Sequence, residues 1–408
     1  MHIQVIMARD ARFELKQGEG ADAVHSNPQY SFAVSLVDLG AGLEGTGLVL
    51  TMGPGNDLVC RAIEMLSQPL IGMDIDELMA EFGSWSRRLA DHPQLRWLGP
   101  HKGVVHLALA SLTNACFDAW AKSRQQPLWK VLLDLSPESF VNLLDLSYLE
   151  DALNRDAALG ILCEEESGRK TRSAVIDSGY PGYDTSVGWF SYDENRIREN
   201  VRRSMGQGFN AFKLKVGGTL DSDVQRAQLL RELAGQDARI MLDANQRWTY
   251  PEAAAACKAL RTVDPLWIEE PTHPDDIEAH RKLAQDAAPT RLALGEHVPN
   301  RVMFKNFLET RCVGFLQPDC TRLAGVSEFL TVSLLARRYG IPVVPHVGDM
   351  GQIHQHLVLV NHIAMGHDKI FLEHIPHLRN HFVHPAQVAD GRYVTPQEPG
   401  SSSDLIGI

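Results

Sequence analysis

The sequence predicts an α/β chain, with a closed β/α barrel from about Tyr183 onward behind an α+β domain over positions 1–135. Three observations carry this reading. Short apolar strands recur through the second half, each followed by a helix-like stretch. Every one of seven such strands ends on an ionisable residue: Lys215, Asp243, Glu269, Glu296, Asp319, His346 and Glu373. These ends recur at a nearly constant step of about 27 residues, the length of a strand, a loop, a helix and a return loop. That is the unit of parallel strands joined by right-handed crossovers. A doubly wound open sheet has units of similar size but spreads its strand ends along an edge, whereas a barrel gathers them at one mouth. A charge closing every strand fits the gathered arrangement.

The elements follow in order. Segments 2–8, 30–38 and 46–51 alternate apolar and polar residues as strands do, and helical periodicity follows at 57–67, 74–91 and 102–123. Gln126-Pro127 links this part to a less regular stretch, with a helical run near 150–163 and a charged segment from Glu164 to Lys170. The seven strands then read as Ala211–Lys215, Arg239–Asp243, Leu266–Glu269, Leu292–Glu296, Val313–Asp319, Pro342–His346 and Ile370–Glu373.

Composition excludes several classes of function. The 408 residues hold 39 Lys and Arg against 51 Asp and Glu, a net charge of −12, with 44% hydrophobic and 22% charged residues, as in globular proteins. Without a basic run on such a chain, no nucleic-acid partner is expected. The most apolar segment, Gly103 to Ala121, is broken by His106, Asn114 and Asp118, so no membrane partner is expected either. The N-terminal MHIQVIMARDARFELK lacks the basic-then-apolar layout of a secretion signal, which predicts a mature chain starting near Met1. The six cysteines form no C-x-x-C pair and read as free, mostly buried thiols of a reducing, cytoplasmic compartment.

The strand ends bring a defined set of groups together. Asp243, Glu269 and Glu296 close three consecutive strands. Three carboxylates at one rim repel one another unless a cation lies between them, and a hard divalent ion with oxygen ligands suits them, Mg²⁺ or, on ligand type, Mn²⁺. Glu270 follows Glu269, and neighbouring strand residues face opposite ways, so one of the two is expected to face the ion; spacing does not choose. Lys213 and Lys215, two apart on the preceding strand, share a face. Like charges and burial both lower an ammonium pKa, so a lysine here is expected to serve as a general base. Asp319 and His346 close the next two strands, and an Asp beside a His orients the ring and raises its proton affinity. Glu373 closes the seventh and is placed to bond a substrate oxygen.

Two patterns carry no site. Gly40-Ala41-Gly42-Leu43-Glu44-Gly45 matches G-x-G-x-x-G, but a dinucleotide fingerprint needs a helix directly afterwards, and Gly47 to Thr51 reads as a strand. A hairpin turn is expected there. Nine of the 17 histidines lie between His346 and His384, yet their spacings share no face, so no zinc site is expected.

A K-x-K strand, three strand-end carboxylates about 27 residues apart, and then an Asp and a His on successive strands resemble the enolase superfamily in its mandelate-racemase-like branch. Further strings resemble the L-fuconate dehydratase subgroup: Gln94 to Pro100 with Lys102-Gly103, Thr185-Ser186 with Gly188-Trp189, Phe212 to Gly217, Asp243 to Trp248, and Trp267 to Pro271. The resemblance implies a modified TIM-like (β/α)7β barrel over residues 136–375 and an N-terminal α+β capping domain, 1–135, completed by about 376–408. It also implies Asp243, Glu269 and Glu296 as Mg²⁺ ligands, Lys215 as base, and His346, supported by Asp319, as acid. Lys213 and Glu373 would hold the carboxylate or enolate, and the loops Glu19–Tyr30 and Thr51–Asp57 would form a lid. The implied activity is loss of water from an aldonate such as L-fuconate, through an enediolate, to a 2-keto-3-deoxy sugar acid, in a homo-oligomer whose partner is a small acid sugar. A racemase or epimerase of a 2-hydroxy acid, with Lys215 and His346 as two bases, is the alternative within the superfamily. A catalytically silent carboxylate-binding protein is the alternative outside it. The chain departs from the subgroup pattern at Val347-Gly348-Asp349-Met350-Gly351, in Glu373-His374-Ile375-Pro376-His377, and in ending at Ile408, differences that fall on the pocket rather than on the carboxylate triad.

Overall fold

The computed structural model describes residues 1–347 and 351–408. The chain opens with a three-stranded antiparallel meander, β1 (Val5–Arg12), β2 (Ser31–Asp38) and β3 (Glu44–Thr51). The first strand lies later than the 2–8 expected. Residues near the start pair instead with the 72–74 segment, Ile3 N–H donating to Met73 O, while Arg12 still sits opposite Ser31. Polar Arg9, Asp10 and Arg12 on the outer ladder hide its true length from a hydropathy pattern. The glycine-rich segment between β2 and β3 is a hairpin connection, with Leu39 and Leu43 hydrogen-bonded across it and a strand following.

The long helix Gly103–Ser123 lies across this sheet and is buried along almost its whole length. Its backbone comes so close to β3 that a Cβ on Gly47 would overlap Ser111 O, and one on Gly45 would overlap the Ala119 Cβ. Ser111 Oγ donates to Gly47 O at 2.9 Å, and Asn114 Nδ2 to Leu48 O at 3.1 Å, satisfying carbonyls that the contact buries. The single helix expected over 74–91 is two, Ile75–Ala80 and Phe82–Ala90, broken at Glu81. The break lets Gly83 pack directly on the Leu144 carbonyl.

The second half is a parallel sheet. β4 (Tyr180–Gly188), β5 (Ala211–Lys215), β6 (Arg239–Asp243), β7 (Trp267–Glu269), β8 (Arg291–Leu294) and β9 (Phe315–Leu316) lie side by side in sequence order, and β10 (Leu372–His374) pairs with β4. Helices alternate with the strands, and several start on their own side-chain caps, such as Asp193 on the helix Glu194–Gly206 and the Thr249/Glu252 capping box. Two expected strands are shorter than their apolar runs. Val313–Asp319 contributes only β9, and Pro342–His346 only a bridge from Val343 to Leu316. Pro318 and Pro342 have no N–H to give a ladder. One residue from each of eight segments, namely Tyr183, Ala211, Met241, Trp267, Ala293, Phe315, Val344 and Phe371, forms a separate buried apolar layer.

The C-terminal residues serve both halves. A small hairpin, β11 (Val388–Ala389) and β12 (Arg392–Tyr393), pairs antiparallel with the first two residues of β4, Tyr180 and Pro181. The final stretch returns to the long helix. Ser401 N–H and Oγ donate to Asp118, Lys122 lies 2.7 Å from both Asp118 and Asp404, and Leu128 N–H donates to Gly400 O. No disulfide joins the six cysteines, four of which are buried, and among the described residues no helix is long and apolar enough to cross a membrane. Because the Gly47 Cβ position is filled by helix backbone that cannot swing away, Gly47→Ala should cost about 3 kcal/mol. A urea denaturation curve with an unchanged midpoint would show that the sheet and helix can separate freely.

Candidate active site

The rungs of the parallel ladder place the charges. Lys215 is the register partner of Asp243, and Asp243 that of Glu269, so three chemically active side chains stand on one rung. Lys213, two residues back on β5, is fully buried. Its Nζ lies 2.9 Å from Glu269 Oε1, 2.6 Å from Glu373 Oε1 and 3.5 Å from Asp243 Oδ2. Lys215 Nζ lies 2.5 Å from Asp243 Oδ2 and 5.3 Å from the centre of the Trp189 ring. Glu373 also accepts from Thr185 Oγ1 at 2.5 Å and from Val347 N–H at 3.2 Å, which ties it to the segment carrying His346. His346 bridges two acids, with Nε2 2.7 Å from Glu296 and Nδ1 2.8 Å from Asp319. All eight sequence-predicted residues therefore meet in one buried region. Gly348, Asp349 and Met350, singled out from the sequence, lie outside the described residues.

The electrostatics correct one expectation. The K-x-K pair suggests two lysines that lower each other's pKa. Burial does act to lower Lys215, and Lys213 adds to it, but Asp243, Glu296 and Asp22 outweigh both and hold the ammonium above its ordinary range. Lys213 is likewise raised, by Glu269 and Glu373 against burial. Burial pushes the Glu269 carboxyl up to about 8, and Asp243 pushes in the same direction. For His346, burial works against charge, yet Glu296 and Asp319 keep the ring protonated well above its usual range.

Glu269 and Glu270 do not divide into one inward and one outward residue. Both are buried, 1% and 2% exposed. Glu269 faces Lys213 and accepts from Trp267 Nε1 at 2.9 Å, while Glu270, at a left-handed φ of 41°, meets Gln246 and lies 3.0 Å from His297 Nδ1. His297 in turn lies 3.2 Å from Glu296. Among the described residues the sets whose ligand atoms converge within 4.8 Å are Glu270, Glu296, His297 and Asp319, Cys320, His354, rather than Asp243, Glu269, Glu296. Lysine nitrogens, not proximity, hold Asp243 and Glu269 together here. The donor chemistry nevertheless fits a hard cation. All three predicted ligands offer carboxylate oxygens and all are buried, and the Asp243 charge adds to burial in raising Glu269. Asn245 Oδ1, buried and without a hydrogen bond, faces the same region from the loop after β6.

A cavity of about 290 Å³ opens onto this cluster and is lined by Lys215, Glu296 and His346. The N-terminal loops close it from the other side through Asp22, Val24, His25, Tyr30, Thr51 and Met52. Asp22 is pinned by the backbone N–H groups of Val24 and His25, each at 2.7 Å. Sequence reasoning missed His297, His354 and Arg322. His297 directly follows a predicted ligand. His354, on the helix Ile353–Met365, lies 3.0 Å from the second oxygen of Asp319. Arg322 lines the cavity three residues after Asp319, its Nε buried without a partner. The assembled groups place two proton-carrying side chains on one cavity, the Lys215 ammonium and the His346 ring held by Asp319.

Comparison with known proteins agrees with this architecture. Residues 196–405 match the family model for the enolase C-terminal domain-like fold. The L-galactonate dehydratase of Hypocrea jecorina is 39% identical over 407 residues, covering 98% of this chain and 90% of that enzyme. The crystal structure of human mitochondrial enolase superfamily member 1 superposes with a TM-score of 0.95 at 37% identity, covering 99% of this chain and 94% of that one. At 23% identity, the L-talarate/galactarate dehydratase of Salmonella typhimurium, solved with Mg and L-lyxarohydroxamate, shares the fold with a TM-score of 0.78 over 99% of this chain and 91% of its own. By sequence, by fold and by the order of its strand-end charges, this chain belongs to the enolase superfamily.

Proposed function

We propose that this chain is a Mg²⁺-dependent acid-sugar dehydratase acting on L-fuconate. The observation that carries the reading is the placement of Lys215, Glu296 and His346 around a single cavity. Two relatives support the class, one named for L-galactonate and one solved with Mg and a sugar-acid analogue. Residues 1–135 with about 376–408 form the cap, and 136–375 form a modified (β/α)7β barrel. The eight-residue apolar layer supports closure, since every strand segment, including Pro342–His346, contributes one side chain to it.

Asp243, Glu269 and Glu296 would hold the ion, which when bound supplies positive charge against the substrate carboxylate. Lys213, tethered by Glu373, reinforces that charge. Lys215 accepts the proton at C2. Its raised pKa belongs to the pairing with Asp243, and a metal competing for that carboxylate would withdraw the stabilising charge and lower it toward a working base. His346 donates its proton to the 3-hydroxyl as it leaves, and Asp319 keeps the ring oriented for that transfer. The enol product rearranges to the 2-keto-3-deoxy acid.

Substrate choice rests on the far wall. L-fuconate is the 6-deoxy form of L-galactonate, so the two differ by a methyl against a hydroxymethyl. Val24, Leu50, Met52 and Leu107 give the cavity an apolar flank suited to the methyl, whereas His25 and Arg322 are placed for the remaining hydroxyls. The value of kcat/KM for L-fuconate should exceed that for L-galactonate by about tenfold; equal values, or a preference for the hydroxymethyl sugar, would refute the assignment. The two proton-transfer roles separate in deuterium oxide. Lys215→Ala should lower both α-proton exchange and keto-acid formation by about 10³-fold, while His346→Asn should stop keto-acid formation and leave exchange running. Exchange surviving Lys215→Ala would remove the lysine as base. Inverted substrate without any semicarbazide-reactive product would instead establish the racemase alternative.

A further inference from the structure

A second cavity, of about 520 Å³, lies between the segment before the lid, the helix Glu194–Gly206 and residues 374–388. It shares no lining residue with the catalytic cavity, yet the two back onto each other. Glu19 lines one and Gly20 the other, and Pro376 and Ile375 divide in the same way. On a chain of net charge −12 its wall is cationic, with Lys16, Arg196, Arg203 and Arg379 set against Glu14 and Glu19. Among the described residues none of these four cations has a carboxylate within 4 Å. Arg196 bonds Gln17 O and Tyr192 Oη, and Arg379 bonds the side-chain amide oxygen of Gln387.

Two histidines in the same wall carry buried ring nitrogens without a hydrogen bond. The His377 side chain is 4% exposed and lies 3.5 Å from Glu19 through Nδ1, while its Nε2 is buried without a hydrogen bond. His374 Nδ1 is buried likewise, with Asp184 no closer than 3.7 Å. Lys16, Arg203 and Arg379 are exposed and, among the described residues, without a carboxylate partner, so the wall presents uncompensated positive charge to an anion entering the cavity. These histidines follow Glu373 in the Glu-His-Ile-Pro-His string, and the dehydration chemistry does not use them.

We propose that this cavity binds a small oxyanion of the phosphate class, and that its occupation fixes the root of the lid. The root is already held by the same wall. Arg196 Nη1 donates to Gln17 O at 3.0 Å, Ser191 Oγ to Gly18 O at 3.0 Å, and Phe190 N–H to Ala21 O at 2.9 Å. The Trp189 ring has His377 5.2 Å from its centre on the cavity side and Lys215 Nζ at 5.3 Å in the catalytic site. The coupling rests on the reading of residues 19–30 as a lid, whereas the binding site does not depend on it.

Inorganic phosphate provides the test, titrated into the full-length metal-loaded protein at constant ionic strength with chloride as the control, and followed by calorimetry and tryptophan fluorescence. Saturable binding is expected. The double variant Arg203→Ala/Arg379→Ala should weaken it at least about tenfold while leaving the thermal midpoint and phosphate-free turnover unchanged. Binding that the double variant retains, a response that chloride reproduces, or no saturable response would each overturn the site. Slower hydrogen exchange in residues 19–30 at saturating phosphate is the expected sign of coupling; unchanged exchange there overturns the coupling alone. Because the readout is binding, failure of the L-fuconate assignment leaves this result standing, and the reverse also holds.

Discussion

The Lys213 ammonium is the contact on which the site depends. A charge with no exposure to water is sustained only by partners, and Lys213 has three: Glu269, Glu373 and Asp243. Those partners sit on or at the ends of β6, β7 and β10, so a single side chain joins the second strand of the parallel sheet to its last. The dependence is mutual. Without the ammonium, three carboxylates would face one another in a medium of low dielectric, and without the carboxylates the lysine could not be buried in its charged form. A one-residue slip of β5 would turn both lysines to the opposite face and leave the acids uncompensated. Charge balance therefore enforces the same register as the apolar layer beneath it.

That dependence also explains what the sequence made legible. The steps from Lys215 to Asp243 and from Asp243 to Glu269 lead from one rung position to the next, which is why strand-end charges recur so evenly. The following rung position is Ala293, and Glu296 lies three residues beyond it in the loop after β8. The regular count there continues into a turn, and periodicity alone does not mark the change. What the sequence concealed depends on tertiary surroundings. Lys213-Leu214-Lys215 reads as two repelling charges, because the acids that reverse the sign of the shift are contributed by other strands. Only one of Glu269 and Glu270 reads as inward-facing, because strict alternation does not foresee the positive φ at Glu270. Pro318 and Pro342 shorten two strands whose apolar runs promise more.

The N-terminal sheet reaches the site through one edge. Arg12 pairs with Ser31, and Ser31 with Thr51, so the loop from β1 to β2 and the loop after β3 leave the meander at the same rung. The Ser31 and Thr51 hydroxyls lie 2.6 Å apart, and Gly53 N–H donates to Ser31 Oγ at 2.8 Å, which fixes the bases of both loops together. Loops held this way share one base beside the cavity, and the packing of Gly45 and Gly47 on the long helix fixes the sheet that carries them.

Chemistry and selectivity therefore rest on parts of the molecule with different tolerances. Lys213, Asp243 and Glu269 are at most 1% exposed and each depends on the others for its charge, so a change at any one disturbs all. Val24 and His25 line the same cavity from a loop whose backbone contacts do not pass through that network. Exchange of their side chains alters the size and polarity presented to the far end of a substrate without moving a proton-transfer group. On the proposed function, a scaffold divided in this way would change its acid sugar by substitution in the β1–β2 loop while the ladder rung stays unaltered. The charge balance that fixes the rung does not fix the β1–β2 loop, which leaves that loop open to substitution.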